Sequence, residues 1–188
     1  MIRILIADDH PIVRQGFKQV LSDTADLLVA DEAGNGQEVL GLVSKKDYDV
    51  ILLDISMPGK NGLEVLKELR LTNPKIPVLI LSIYPEEQYA IRALKAGAAG
   101  YLTKASAPDE LIAAIRKVSR GGKYISSSLA EKLAYELDGE AEKAPHETLS
   151  DREYQILLMI ASGKTVSNIA EEMCLSVKTV STYRSRIL

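Results

Sequence analysis

The stretch DYDVILLDISMPG, residues 47–59, sets an unbroken apolar run, Val50 to Leu53, against an acid, Asp54, and a Met-Pro-Gly turn beyond it. A short apolar run bounded by turn residues is the mark of a strand covered on both faces, as in the centre of a parallel sheet. An isolated buried carboxylate is costly unless it is paired, metal-bound or neutral. Asp54 therefore requires partners from elsewhere in the chain.

Outward from this strand the pattern alternates. Residues 2–7, 27–33, 76–82 and 99–103 also read as strands. Between them apolar residues recur at helical spacing: Val13, Phe17, Val20 and Leu21; Val39, Leu40 and Val43; Leu63, Leu66 and Leu69; Leu111, Ile115 and Val118. Pro11 and Pro108 stand where a first helical turn accepts proline, and Gly121 where a helix stops. Five alternating units predict an α/β fold, a doubly wound five-stranded parallel sheet of flavodoxin-like order 2-1-3-4-5 over residues 1–121.

Residues 122–148 read as a linker containing one helix. SSSLAEKLAYELDG (126–139) is expected to be that helix, ending at Gly139, and EAEKAPHET (140–148) is polar and periodless. Residues 149–188 read as a small all-α unit. An N-cap serine, Ser150, opens a scaffold helix, and two short helices follow, joined by a turn at Cys174-Leu175, which describes a helix-turn-helix.

Composition bounds the function. The chain has 188 residues, 46% of them hydrophobic, enough for two cores. No apolar stretch approaches the ~18 residues of a membrane span, and no signal-peptide pattern precedes the strand at Ile2. The one cysteine, Cys174, is expected to be a small buried hydrophobe. A cytoplasmic protein without a membrane partner is therefore expected. The net charge of −3 gives no general attraction to nucleic acid, so any DNA-binding case rests on where charges lie.

Ligands of doubly wound sheets sit outside the carboxyl ends of the strands. The first strand ends in Asp8-Asp9, the third in Asp54, the fourth in Ser82, and Lys104 stands just past the fifth. In the order 2-1-3-4-5, strands 1 and 3 are neighbours, so three carboxylates converge and want a cation. Oxygen donors without His or Cys favour Mg²⁺. The competing reading makes each acid a helix cap. Such a site suits phosphoryl transfer to a carboxylate, with Asp54 as nucleophile, Asp8 and Asp9 holding Mg²⁺, Lys104 neutralising the transferred group and the Ser82 hydroxyl bonding it. His10 reads as a solvent-facing helix-entry residue. SGKT (162–165) is not a phosphate loop, since the motif's first glycine would fall at Leu158.

ILIADDHPIVRQG, VILLDISMPGKNGLEVL, ILS and KAGAAGYLTK together resemble the receiver domain of two-component response regulators. The resemblance implies Asp54 as the phosphoacceptor, Asp8 and Asp9 as the acidic pair, and the backbone carbonyl of Ser56 as a further Mg²⁺ ligand. It also implies Lys104 as the phosphate-contacting lysine and Ser82 with Tyr101 as a switch pair, the ring turning inward. A sensor histidine kinase is then the phosphodonor, and the chain is not an enzyme beyond self-phosphorylation and slow autodephosphorylation. Many receivers have a proline after the lysine, in a cis peptide; here it is Ala105, where a cis bond would cost ~3 kcal/mol.

In the last predicted helix Val180, Tyr183 and Ile187 form an apolar stripe, and Lys178, Ser181, Thr182 and Ser185 point away from it. Such short hydrogen-bonding side chains suit a major groove, with Arg184 and Arg186 on the flanks for phosphates. The segment from Leu149 onward is similar to the LuxR-type DNA-binding domain of NarL/FixJ-class response regulators. Lys178, Thr179, Ser181, Thr182, Arg184, Ser185 and Arg186 are its expected contacts to double-stranded DNA, and a homodimer on phosphorylation is implied. Tyr183 stands where that family commonly has histidine. The family's domain continues into a fourth helix, and this sequence stops at Leu188, so truncation before that helix is expected.

Two other functions fit parts of the pattern. A metal-dependent phosphohydrolase would use the same aspartyl phosphate, but it usually shows Asp-x-Asp where residues 54–56 read Asp-Ile-Ser. A regulator working only through protein contacts would lack salt-sensitive retention on DNA.

Overall fold

The computed structural model describes residues 1–137 and 148–187. The chain divides into two compact units, Met1–Ala134 and Tyr135–Leu188. In the first, strands β1 (Ile2–Ala7), β2 (Leu27–Ala33), β3 (Val50–Asp54), β4 (Val78–Ser82) and β5 (Gly100–Thr103) alternate with helices α1 (Pro11–Ser22), α2 (Gly36–Val43), α3 (Gly62–Thr72), α4 (Glu86–Lys95) and α5 (Pro108–Ser119). The sheet is parallel, in the order β2-β1-β3-β4-β5.

The apolar run Val50–Leu53 lies at the centre of this sheet. Val50 to Leu53 are wholly buried, and their strand pairs with β1 on one side and β4 on the other. One face packs Ile4, Ile6, Val50, Leu52 and Leu79 against Leu111, Ile115 and Val118 of α5. The expected helical stripes do the covering: Val39 and Val43 of α2 and Leu63, Leu66 and Leu69 of α3 are all buried. Proline occupies the first turn of both α1 and α5. Gly121, at φ +83°, takes the left-handed position that ends α5.

Two strands start later than their apolar runs. β4 begins at Val78 because Pro77 has no N–H to give the ladder, though its carbonyl still accepts from Ile51. β5 begins at Gly100, one residue past the expected 99. Among the described residues every peptide bond is trans, that between Lys104 and Ala105 included.

After α5 the helix expected at 126–139 runs from Ser127 to Leu137 as α6. Its expected end at Gly139, the segment 140–147 and Leu188 lie outside the described residues.

The second unit contains α7 (Asp151–Ala161), α8 (Val166–Glu172) and α9 (Val177–Ile187). Ser150 and Glu153 form a reciprocal capping box on α7, Thr165 caps α8, and Ser176 Oγ accepts the Thr179 N–H at 3.0 Å. Ile156, Met159, Ile169, Ala170, Met173 and Val180 form its core. Cys174 is not the buried hydrophobe expected from its helix-forming neighbours: it is exposed. At φ +53° it is the left-handed residue that terminates α8, so its side chain leaves the helix's inward stripe.

Candidate functional site

The carboxyl ends of β1, β3, β4 and β5 bring the expected residues to one edge. Asp54 ends β3 and is 1% exposed, Asp8 follows β1 and is equally buried, and Ser82 ends β4 with no exposed surface. Lys104 reaches back from beyond β5, its backbone N–H donating to Ser82 O at 2.8 Å. Its Nζ donates to Asp54 Oδ2 at 2.8 Å. The same Nζ lies 2.7 Å from Asp8 Oδ2, an ion pair outside hydrogen-bond alignment. Among the described residues, one ammonium thus bridges the two most buried carboxylates.

Burial pushes the Asp54 carboxyl above the ordinary carboxylate value, against the opposing pull of the Lys104 ammonium. Burial also works against the charge on Lys104, but Asp54 and Asp8 outweigh it and hold that group above the ordinary lysine value. Both directions describe one shared proton balance, in which Lys104 keeps its charge and Asp54 is a more basic carboxylate than one in water.

The oxygens of the acidic cluster are only partly satisfied: Asp8 Oδ2 and Asp9 Oδ1 are met by ion pairs alone. Asp54 Oδ1, Asp8 Oδ2 and Asp9 Oδ1 are buried without an aligned hydrogen-bond donor. Asp8, Asp9 and His10 each place a ligand atom within 4.8 Å of the others. His10 is the N-cap of α1 with its side chain 63% exposed, as expected, and its Nδ1 lies 2.8 Å from Asp9 Oδ1. The carboxylate oxygens of Asp8 and Asp9 are hard donors that fit Mg²⁺, while Asp54 lies outside this group. Ser56 lies two residues past β3, and its hydroxyl is buried without a partner.

Ser82 Oγ accepts the Tyr84 N–H at 3.1 Å, and the Tyr101 hydroxyl donates to Tyr84 O at 2.8 Å. Tyr101 is turned inward, and burial raises its phenol above the ordinary tyrosine value. The expected switch pair therefore meets in one loop, residues 83–85 between β4 and α4.

Several positioning residues escaped the sequence reading. A Cβ on Gly62 would come within 2.0 Å of Asp54 O, so only glycine lets α3 start against the end of β3. Asn61 beside it is buried and forms a capping box with Glu64. The Asn-Gly pair at 61–62 was the available signal. Arg14 Nη1 donates to Asp8 O at 2.7 Å, holding the loop that carries the acidic pair. A long side chain meeting a distant backbone carbonyl leaves no local pattern.

On α9 the expected DNA-facing residues Lys178, Ser181, Thr182, Arg184, Ser185 and Arg186 are exposed, while Val180 is buried. Thr179 is half-buried and tied to Ser176 at the cap, its Oγ1 2.7 Å from Ser176 Oγ. The hydroxyls of Thr182 and Ser185 donate to Lys178 O and Ser181 O at 3.0 and 3.1 Å.

A parallel α/β receiver with an acid-lysine edge, joined to a helix-turn-helix, defines the class: the chain belongs to the DNA-binding response regulators, a family of regulators rather than of turnover enzymes. The family described as response regulator receiver domain matches residues 4–116, and that described as bacterial regulatory proteins, luxR family, matches 147–188. The chain is similar along its whole length to response regulator GacA of Pseudomonas aeruginosa, at 41% identity over 88% of that protein. It is likewise similar to response regulator UvrY of Escherichia coli K12, at 38% identity over 86% of it. Among solved structures, RcsB of Salmonella enterica serovar Typhimurium, bound to promoter rprA with the phosphomimetic BeF3−, matches at TM-score 0.68 and 25% identity. That match covers 100% of this chain and 90% of RcsB. A LuxR-family response regulator from Aurantimonas sp. matches at TM-score 0.67 and 32% identity, covering 73% of this chain and 98% of that one. No described helix is long and apolar enough to cross a membrane.

Proposed function

We propose that the chain is a phosphorylation-controlled transcriptional regulator in which Asp54 accepts a phosphoryl group from a phosphohistidine of a sensor kinase. The observation that carries this reading is the Lys104 ammonium bridging Asp54 and Asp8 at the buried end of the central strand. An Asp54 carboxylate oxygen attacks phosphorus, the P–N bond to the donor imidazole breaks, and an acyl phosphate forms. Lys104 follows the charge onto the transferred oxygens, and the Ser82 hydroxyl bonds one of them. Asp8, Asp9, Asp54 and the Ser56 carbonyl would hold Mg²⁺, whose chemistry is to neutralise phosphoryl oxygens.

On this reading no described residue is assigned as a base for water, and slow autodephosphorylation lets the label last long enough to signal. The domains are taken as a receiver at 1–121, a helix-containing linker at 122–148 and a DNA-binding unit at 149–188. Output is major-groove binding by α9 as a homodimer formed on phosphorylation, in the cytoplasm. The DNA complex of RcsB, a relative of the same two-domain class, supports the output.

The test is incubation with a small phosphodonor and Mg²⁺. One phosphate should be added, labile to hydroxylamine, and Asp54→Ala should abolish it. Persistent labelling of that variant would falsify the assignment.

A further inference from the structure

Lys123 and Tyr124 lie along the outer edge of β5. The Tyr124 N–H donates to Ala99 O at 2.8 Å, its backbone bridges to Gly100, and Lys123 Nζ donates to Ala98 O at 2.7 Å. The Tyr124 hydroxyl donates to Glu110 at 3.1 Å, and the Lys117 ammonium stands 5.8 Å from its ring centre. These contacts fix the approach to α6 against the receiver.

Ser126 then does two things with one hydroxyl. Its Oγ accepts the Leu129 N–H at 3.1 Å, capping the first turn of α6, and donates to Glu86 Oε2 at 2.6 Å. Ser128 Oγ adds a longer bond to the same carboxylate oxygen at 3.3 Å. Leu129 is buried and lines one crevice with Ile91 of α4. Glu86 is the first residue of α4, where the helix dipole favours an acid. It follows directly on the loop whose Tyr84 is held from both sides by Ser82 and Tyr101. Hydrogen bonds thus join Ser82 to Tyr84 and Glu86 to Ser126, and the chain itself joins Tyr84 to Glu86 through Pro85, from the carboxylate edge to the cap of α6.

We infer that Glu86 is a latch: its carboxylate couples the position of the loop between β4 and α4 to the stability of the first turn of α6. It is a positioning residue, touching neither Asp54 nor the transferred group. A rearrangement of the loop carries Glu86 with it, and the Ser126 cap loses its anchor. The inference rests on the phosphorylation reading for what moves the loop in the cell; the contact itself is independent of that reading.

Hydrogen exchange at the Leu129, Ala130 and Glu131 amides of the full chain reads the latch. Glu86→Ala should speed exchange there roughly tenfold, the loss expected when a hydrogen bond to a charged group is removed. Glu86→Gln, which keeps an acceptor and spares α4, should fall between. Tyr101→Phe removes only the hydroxyl that holds Tyr84 O. It should speed the same amides severalfold when Glu86 is present and add nothing once Glu86 is alanine. An unchanged Leu129 rate in Tyr101→Phe, or an equal increment with and without Glu86, overturns the latch.

A third arm adds a phosphodonor with Mg²⁺ and follows intact mass in the same sample. No mass gain counts against the Asp54 reading, and the hydroxyl variants alone then decide the latch. A mass gain with unaltered Leu129 exchange refutes the latch and leaves the phosphosite standing.

Discussion

Lys104 is the residue on which the carboxylate edge balances. Removing one partner of a buried ion cluster leaves charge uncompensated, at a cost of roughly 3–5 kcal/mol. With Lys104 12% exposed, the loss should approach that range. Lys104→Met should therefore lower the melting temperature of the receiver unit, and Mg²⁺ should restore more of it than it adds to the unsubstituted chain. Differential scanning fluorimetry with and without Mg²⁺ gives the comparison; equal Mg²⁺ shifts would mean the ammonium and the cation do not share a task. Much of this edge is legible in the sequence. Acids placed at strand ends next to an apolar run can be located by counting, and Asp8, Asp54, Ser82 and Lys104 fall where that count puts them. Gly62 and Arg14 were not legible. Their roles are a close approach and a reach to a carbonyl, and both depend on chain segments meeting in space.

At the level of elements, α1 and β2 are clasped by Glu32, which accepts from Lys18 at 2.6 Å and Arg14 at 3.0 Å. The Lys18 bond holds the Glu32 carboxyl below the ordinary glutamate value, Arg14 adds to the effect, and burial opposes it. A carboxyl depressed in the folded state stabilises above its unfolded pKa and loses that contribution as pH falls through the folded one. Glu32→Gln should thus melt below the unsubstituted chain at pH 7. The gap should close as pH falls through and below the ordinary glutamate range, where first the unfolded and then the folded state becomes protonated. Thermal melts across that range are the check, and a gap that widened on acidification would contradict the sign. Strands and helices themselves followed from periodicity, since the sheet is buried on both faces and its helices are amphipathic. The failures lie at boundaries. Pro77 delays β4 by removing a donor, and Cys174 leaves its helix through a left-handed turn that no hydrophobic count registers.

As a whole molecule the chain is mildly acidic, yet between Ser176 and Leu188 it carries Lys178, Arg184 and Arg186 and no acid. Binding to operator DNA should accordingly depend on salt through these few contacts. Lys178→Ala or Arg184→Ala should each reduce the slope of log K against log salt by about one, across all sequences. Changes at Thr182 or Ser185 should instead shift which sequences are preferred; a salt titration on several operators separates the two effects. The bonds that Thr182 and Ser185 make within α9 add a direction to that preference. Each hydroxyl has one proton, and each spends it on a carbonyl of its own helix. What remains outward is lone pairs, so the exposed surface of α9 proposed to enter the groove is an acceptor surface at those two positions. Acceptors pair with the amino groups that adenine and cytosine show in the major groove, and they meet only other acceptors on guanine. The operator strand facing Thr182 and Ser185 should therefore be rich in adenine and cytosine, and a guanine there should cost the price of turning a hydroxyl away from its helix.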